Sequence, residues 1–268
     1  MNRRTHLARP PAGRSPLRAV AVPSEHGGWG LTSEPVLLGL LVAPSVAGAA
    51  LGAAAFVAFV ARTPLKIVLV DRRRHRRLPR TGLATRVLAV ELTAIAVLVA
   101  LAATRAGDGW WLPLLAAAPL VIVELAFDMR SRSRRLLPEL CGAVGMAAVS
   151  CAVARAGGAG WTVALGLWVV LAARSVASIP YTRAQVQRLH SHRPSVGLVD
   201  LAQAAALLAL AAAYGAGVVP GAALVAVAVV VVIQAVSLRL RPPPVAVLGI
   251  TQLIFGLAIV LATAASAT

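Results

Sequence analysis

Nine apolar stretches run through the chain, at roughly 29–48, 49–70, 83–104, 111–127, 136–155, 160–179, 196–213, 218–237 and 244–264. Ala, Val, Leu and Gly fill them, without the period-two alternation of a membrane barrel strand. About 20 consecutive apolar residues cross the hydrocarbon core of a bilayer as a helix, and a helix satisfies its own backbone hydrogen bonds there. The pattern therefore predicts an all-α fold, a polytopic membrane helix bundle of about nine transmembrane helices forming a single domain over 25–268. The boundary between the first two spans is expected at Gly48 to Gly52. Residues 1–24 carry five arginines among several prolines and no apolar core of signal-peptide type, so they are expected to form a retained, basic, disordered tail.

Charge adds orientation to this picture. Five cationic side chains lie in the N-terminal tail, nine between 62 and 86, four between 127 and 135, four between 174 and 193, and Arg239 and Arg241 complete the set; only Arg105 and Arg155 fall in the alternate loops. Cations collect on the cytoplasmic side, so the N-terminus is expected inside and the C-terminus outside, in the cytoplasmic (inner) membrane of a bacterium. Composition agrees: 59% of the 268 residues are apolar and the mean hydropathy is +0.82. The net charge of +17 reads as a topology signal, and with 4% aromatic residues the chain lacks the stacking side chains of a nucleic-acid binder. Cys141 and Cys151, ten residues apart within one span, point to different helix faces and are expected as two buried small hydrophobes.

The polar residues inside the spans are unevenly placed. At about 1.5 Å per residue, Glu34, Glu91, Glu124, Glu139, Gln203, Gln234 and Gln252 all fall within roughly 12 Å of the cationic surface. This predicts a polar cup open to the cytoplasm. Ionisable groups within a bilayer are costly. For Glu34 and Glu91 function and structural pairing are both open, whereas Glu124 and Glu139 read as interfacial or paired with neighbouring arginines.

Four constellations sit at that surface. Arg62 and Lys66 are four apart, hence on one helix face, with Pro64 between them. They either attract an anion or reach out to phospholipid headgroups. Asp71 precedes a run of arginines, and Asp128 repeats the situation ahead of Arg130. Glu25-His26-Gly27-Gly28-Trp29 leads into the first span, with a histidine able to change charge near neutral pH and a tryptophan suited to an interface. Arg174, Tyr181 and Arg183 mark the end of the sixth span.

These residues resemble the YwiC-like family of bacterial membrane proteins. The resemblance rests on Pro23-x-Glu25-His26-Gly27-x-Trp29, Arg62-x-Pro64-Leu65-Lys66 with Asp71 and its arginines to Thr81, Phe127-Asp128, and Ala173-Arg174-Ser175 to Tyr181-x-Arg183. It implies membrane location and no particular activity. A second resemblance, one of layout, is to the UbiA-type intramembrane prenyltransferases, which implies nine spans and a cytoplasm-facing site at the ends of the second and sixth spans. Their two Asp-rich motifs bind Mg²⁺ and hold a prenyl pyrophosphate. Here the first position offers Arg62, Lys66 and one acid, Asp71, and the second offers Arg174 and Tyr181 with no paired acids, which argues against a Mg²⁺ cofactor.

Three functions follow as expectations. The foremost is a UbiA-like site for an anionic, phosphate- or pyrophosphate-bearing lipid or metabolite, with Arg62, Lys66, Asp128, Arg130, Arg174, Tyr181 and Arg183 binding it. Glu25, His26, Asp71 and Glu91 are the candidates for proton transfer or orientation if the protein is an intramembrane transferase. The others are a non-catalytic membrane subunit docking an acidic partner, and an anion transporter. Membrane lipids are the one partner class all three share.

Overall fold

The computed structural model describes residues 16–21, 26–76, 78–130, 135–190 and 194–267. Among them are ten helices and no strand: α1 (Pro16–Ala21), α2 (His26–Val42), α3 (Val46–Arg73), α4 (Pro79–Ala103), α5 (Leu112–Met129), α6 (Leu136–Ala156), α7 (Trp161–Leu189), α8 (Val196–Gly215), α9 (Gly221–Arg239) and α10 (Val245–Ala267). The helices α3 to α10 are each long and apolar enough to cross a membrane, and α2 contributes a shorter apolar helix over Gly28–Val42. The all-helical membrane bundle expected from hydropathy is the observed architecture. Within the stretch expected as tail, α1 is a six-residue helix whose Val20 is buried among Ala61, Val68, Ala84 and Leu88.

One boundary differs from expectation. The break between the first two spans lies at Ala43 to Ser45, ahead of the glycines. Ser45, in extended conformation, caps α3 by accepting the Gly48 N–H through its hydroxyl at 2.9 Å. A serine accepting one of the unpaired N–H groups of the first turn is a helix start. Gly48 and Gly52 serve packing instead: a side chain at Gly48 would press on Val153, and one at Gly52 would overlap Val36.

The helix α6 is the hub. It packs against α2, α3, α5 and α7, and 61% of its apolar window is buried, against 11% for α4 at the edge. Small residues let these backbones approach closely in a lipid setting, where apolar surface alone gives helices no reason to associate. Accordingly, Ala143, Gly145, Ala147, Ala148 and Ala152 on α6 are buried, and Gly39 of α2 sits directly on Val153 and the Ser150 carbonyl. Outside, Val90 and Val97 on α4, Leu201 and Leu208 on α8, and Ile250 and Ile254 on α10 are exposed, an apolar surface suited to acyl chains.

The bundle has two unlike ends. At one, Arg155 donates to the Asp108 carbonyl and lies 4.4 Å over the Trp161 ring. At the other, α3 and α7, with 28 and 29 residues, run on past the length a span needs. At 1.5 Å per residue they are about 42 and 43 Å long, against a hydrocarbon core of ~30 Å. Their extra turns carry the cations.

Candidate functional site

Two matching ladders meet at the cationic end. Arg62 and Lys66 on α3 face Glu124 and Asp128 on α5, each pair spaced by one turn. Arg62 donates from Nη1 to Glu124 Oε1 at 2.7 Å and from Nε to Asp128 Oδ2 at 3.0 Å, and Lys66 reaches Asp128 Oδ1 at 3.4 Å. Asp128 is 1% exposed while Lys66 is 35% exposed, so the acids lie inside and the cations at the rim. Glu124 also rests on Gly142 of α6, where any side chain would overlap its carboxylate. The two cations share one face as the spacing predicted, and the four formal charges cancel.

Just beyond, the ends of α3 and α5 frame an open cleft of about 420 Å³ lined by Arg73, Arg74, Met129 and Arg130. Arg73 donates to the Met129 carbonyl at 3.4 Å, tying the two helix ends together.

Asp71 is 1% exposed and works within its own turn. Its carboxylate accepts from Arg80 Nη2 at 3.0 Å and from the Thr81 hydroxyl at 2.7 Å, across the connection between α3 and α4. Its backbone carbonyl accepts the Arg76 N–H at 2.9 Å, and His75 takes a positive φ of 51° to close the loop. The arginine that holds Asp71 comes from the next helix.

Arg174 lies elsewhere, between α2, α7 and α10. It is 5% exposed and pairs with Glu34, 3% exposed, at 2.8 Å, while also donating to the Gln252 carbonyl at 3.0 Å. The Gln252 side chain accepts from Gln234, which donates in turn to Ser178 and accepts from Gln203. Three of the polar residues singled out by depth, Gln203, Gln234 and Gln252, thus form a relay with Ser178 across α7, α8, α9 and α10. Lower on α7, Tyr181 bonds the Ser237 hydroxyl at 3.0 Å and Arg183 pairs with Glu139 of α6 at 2.8 Å.

Glu91, on α4, is half-buried, and its Oε2 has no hydrogen-bond partner. Glu25 lies outside the described residues, and His26 opens α2 with its side chain outside them too. So Arg62, Lys66 and Asp128 are brought together, with Arg130 on the adjoining cleft, whereas Asp71, Glu91, Arg174 and the Tyr181–Arg183 segment each have separate surroundings. Glu124 and Glu34 stand out in the sequence as polar residues within spans, but which cation each one pairs with does not: Arg62 for Glu124 and Arg174 for Glu34. For Glu124 a signal existed, since 124 and 128 repeat the four-residue spacing of 62 and 66. Both cysteines are free and buried. Among the described residues no three His, Cys, Asp or Glu side chains gather in a group able to hold a metal ion.

No curated protein and no solved structure matches the chain. Residues 22–154, which take in Glu34, Arg62, Lys66, Asp71, Glu124 and Asp128, match the family model described as YwiC-like protein. The chain is therefore a multi-pass membrane protein whose residues 22–154, about half of its length, belong to the YwiC-like family.

Proposed function

We propose that the protein binds an anionic headgroup, a phosphate or pyrophosphate borne by a lipid or a metabolite, at the cationic end of α3 and α5. The observation that carries this reading is the cleft where Arg73, Arg74 and Arg130 converge beside Met129 as two spans end. Guanidinium groups hold phosphate oxygens through paired N–H donors, and cations just beyond a span meet headgroups at the membrane surface. The quartet of Arg62, Lys66, Glu124 and Asp128 then acts as a brace, fixing α3 to α5 so that the rim arginines keep their spacing. The cation distribution supports placing this end on the cytoplasmic side of a bacterial cytoplasmic membrane, with the N-terminus inside.

A magnesium clamp does not belong to this reading. Mg²⁺ takes six oxygens in near-octahedral geometry, whereas Asp71 is held by Arg80 and Thr81, and Asp128 by Arg62 and Lys66. The residues present do not fit the Asp-rich clamp of the UbiA type.

The test is thermal unfolding of the detergent-purified chain with inorganic pyrophosphate, phosphate or chloride at matched ionic strength. Pyrophosphate is expected to raise the Tm; a hundredfold excess over Kd adds about 2.7 kcal/mol. The Arg73→Ala/Arg130→Ala variant is expected to lose that shift. An equal shift with chloride, or an undiminished one in the variant, would falsify the reading. A prenyl pyrophosphate binding more tightly than the inorganic ion identifies the ligand as a lipid.

A further inference from the structure

Deep between α2, α7 and α10, the Arg174 guanidinium is used along one side only. Its Nη2 serves both Glu34 Oε1 and the Gln252 carbonyl, while its Nε, buried as well, has no partner. Gln252 Nε2, on the neighbouring helix, is a second buried donor with no acceptor. A guanidinium holds a carboxylate most strongly through two parallel N–H···O bonds, and Glu34 supplies one oxygen to one nitrogen. Gly256 keeps Glu34 in that position, because a Cβ there would overlap both Glu34 and Arg174. Buried donors without acceptors are costly. One belongs to Arg174 and the other to the residue whose carbonyl Arg174 holds, and together they call for an oxygen-bearing guest.

Charge decides which guest. Glu34 and Arg174 cancel, so an anion entering alone would leave one uncompensated charge in the apolar interior. An acid that arrives with its proton does not. We propose that Arg174 is the receptor for a membrane-soluble monocarboxylic acid and that Glu34 takes the acid's proton. The acid enters as RCOOH, one O–H bond breaks, and one forms on a Glu34 carboxylate oxygen. The guest carboxylate then accepts from Arg174 Nε and from the Nη2 N–H that the neutralised Glu34 gives up, with Gln252 Nε2 as a further donor, and the net charge stays zero throughout. Gln252 is only half-buried and adjoins Leu253, Ile254 and Leu257, whose exposed side chains offer the alkyl chain an apolar surface.

The surroundings suit a one-proton exchange. The helix α10 has no titratable side chain, and Cys151 of α6 shares a buried cluster with Leu38, one turn along α2 from Glu34. On α7 and α6, Arg183 and Glu139 pair with one another, and on α3, Arg62 and Lys66 face Glu124 and Asp128.

The experiment is thermal unfolding of the full chain in dodecyl maltoside with decanoic acid, and with decanol as chain-matched control. Decanoic acid is expected to raise the Tm and decanol not to. Between about pH 6 and about pH 8 the apparent affinity is expected to weaken about tenfold per pH unit, because one proton accompanies each anion. Glu34→Gln, neutral without a proton, should bind decanoate with no such dependence. Arg174→Lys, which keeps a cation beside Glu34 but removes the fork, should lose the shift, and Gln252→Leu, which leaves the ion pair intact, should weaken it. Arg73→Ala/Arg130→Ala should retain it, which separates this site from the rim cleft. An equal shift with decanol, a pH-independent shift in the native protein, or a full shift in Arg174→Lys overturns the proposal.

Discussion

Gly256 shows how much one missing side chain can decide. Its Cα hydrogen faces the Glu34–Arg174 pair so closely that a methyl group would occupy the space of the carboxylate. Neither partner can retreat cheaply, since both are almost fully buried and a displaced charge would stand in an apolar interior. Gly256→Ala is therefore expected to destabilise the protein by about 1–3 kcal/mol, the usual cost of overfilling a packed interior. The check is its Tm in detergent beside Gly249→Ala, since the space around Gly249 is open. In sequence the two glycines look alike, each within an apolar run. What separates them is which helix lies opposite, and no local pattern encodes that. Glu34 and Gln252 could be picked out by depth alone, because a polar group inside a span always needs a reason; that Arg174 is the reason for Glu34 is a tertiary fact.

At the scale of elements, the brace between α3 and α5 pairs two cations with two acids at equal spacing. Asp128→Ala takes a buried carboxylate away from both Arg62 and Lys66, while both cations stay partly exposed and Arg62 keeps Glu124; it is expected to cost about 1.5–3 kcal/mol, the range for hydrogen bonds to a charged group. Glu139→Ala, in a pair whose side chains are each about one-third exposed, should cost less than about 1 kcal/mol. Unfolding both variants side by side checks the ranking, and equal losses would refute it. The spans themselves were readable, because the hydrocarbon core demands length and apolarity that few other structures share. The break after α2 was misread for a physical reason: Gly48 and Gly52 look like a turn, yet in membrane helices glycine often marks close packing. Pro44-Ser45, a breaker followed by a capping side chain, was the better signal. The length of α7 was also underread, since Arg174 to Leu189 is too polar for a span but continues as helix against α6, α8 and α9.

For the whole molecule, a buried hub and lipid-ready edges explain why the helices show so little amphipathic pattern. With an apolar solvent outside and an apolar core inside, both faces of a span favour the same residues. Sidedness then rests on the loops. Both native cysteines are buried, so single cysteines can be introduced without a competing surface thiol. Arg76→Cys, between α3 and α4, and Asp108→Cys, between α4 and α5, lie at opposite ends of the bundle. A membrane-impermeant maleimide applied to intact cells is expected to label the second and spare the first, and the reverse result would invert the proposed orientation.

Two of the buried acids, Asp71 and Glu34, also close at different moments of the chain's synthesis. Asp71 finds Arg80 and Thr81 within ten residues, so its clamp can form as soon as α4 follows α3 into the bilayer. Glu34 has to wait for α7, five helices later. Until then α2, the shortest of the apolar helices, carries an acid whose partner has not been made. Its seat in the bilayer is settled only when the centre of the bundle arrives, so truncations ending before Arg174 should leave α2 the most readily lost of the spans.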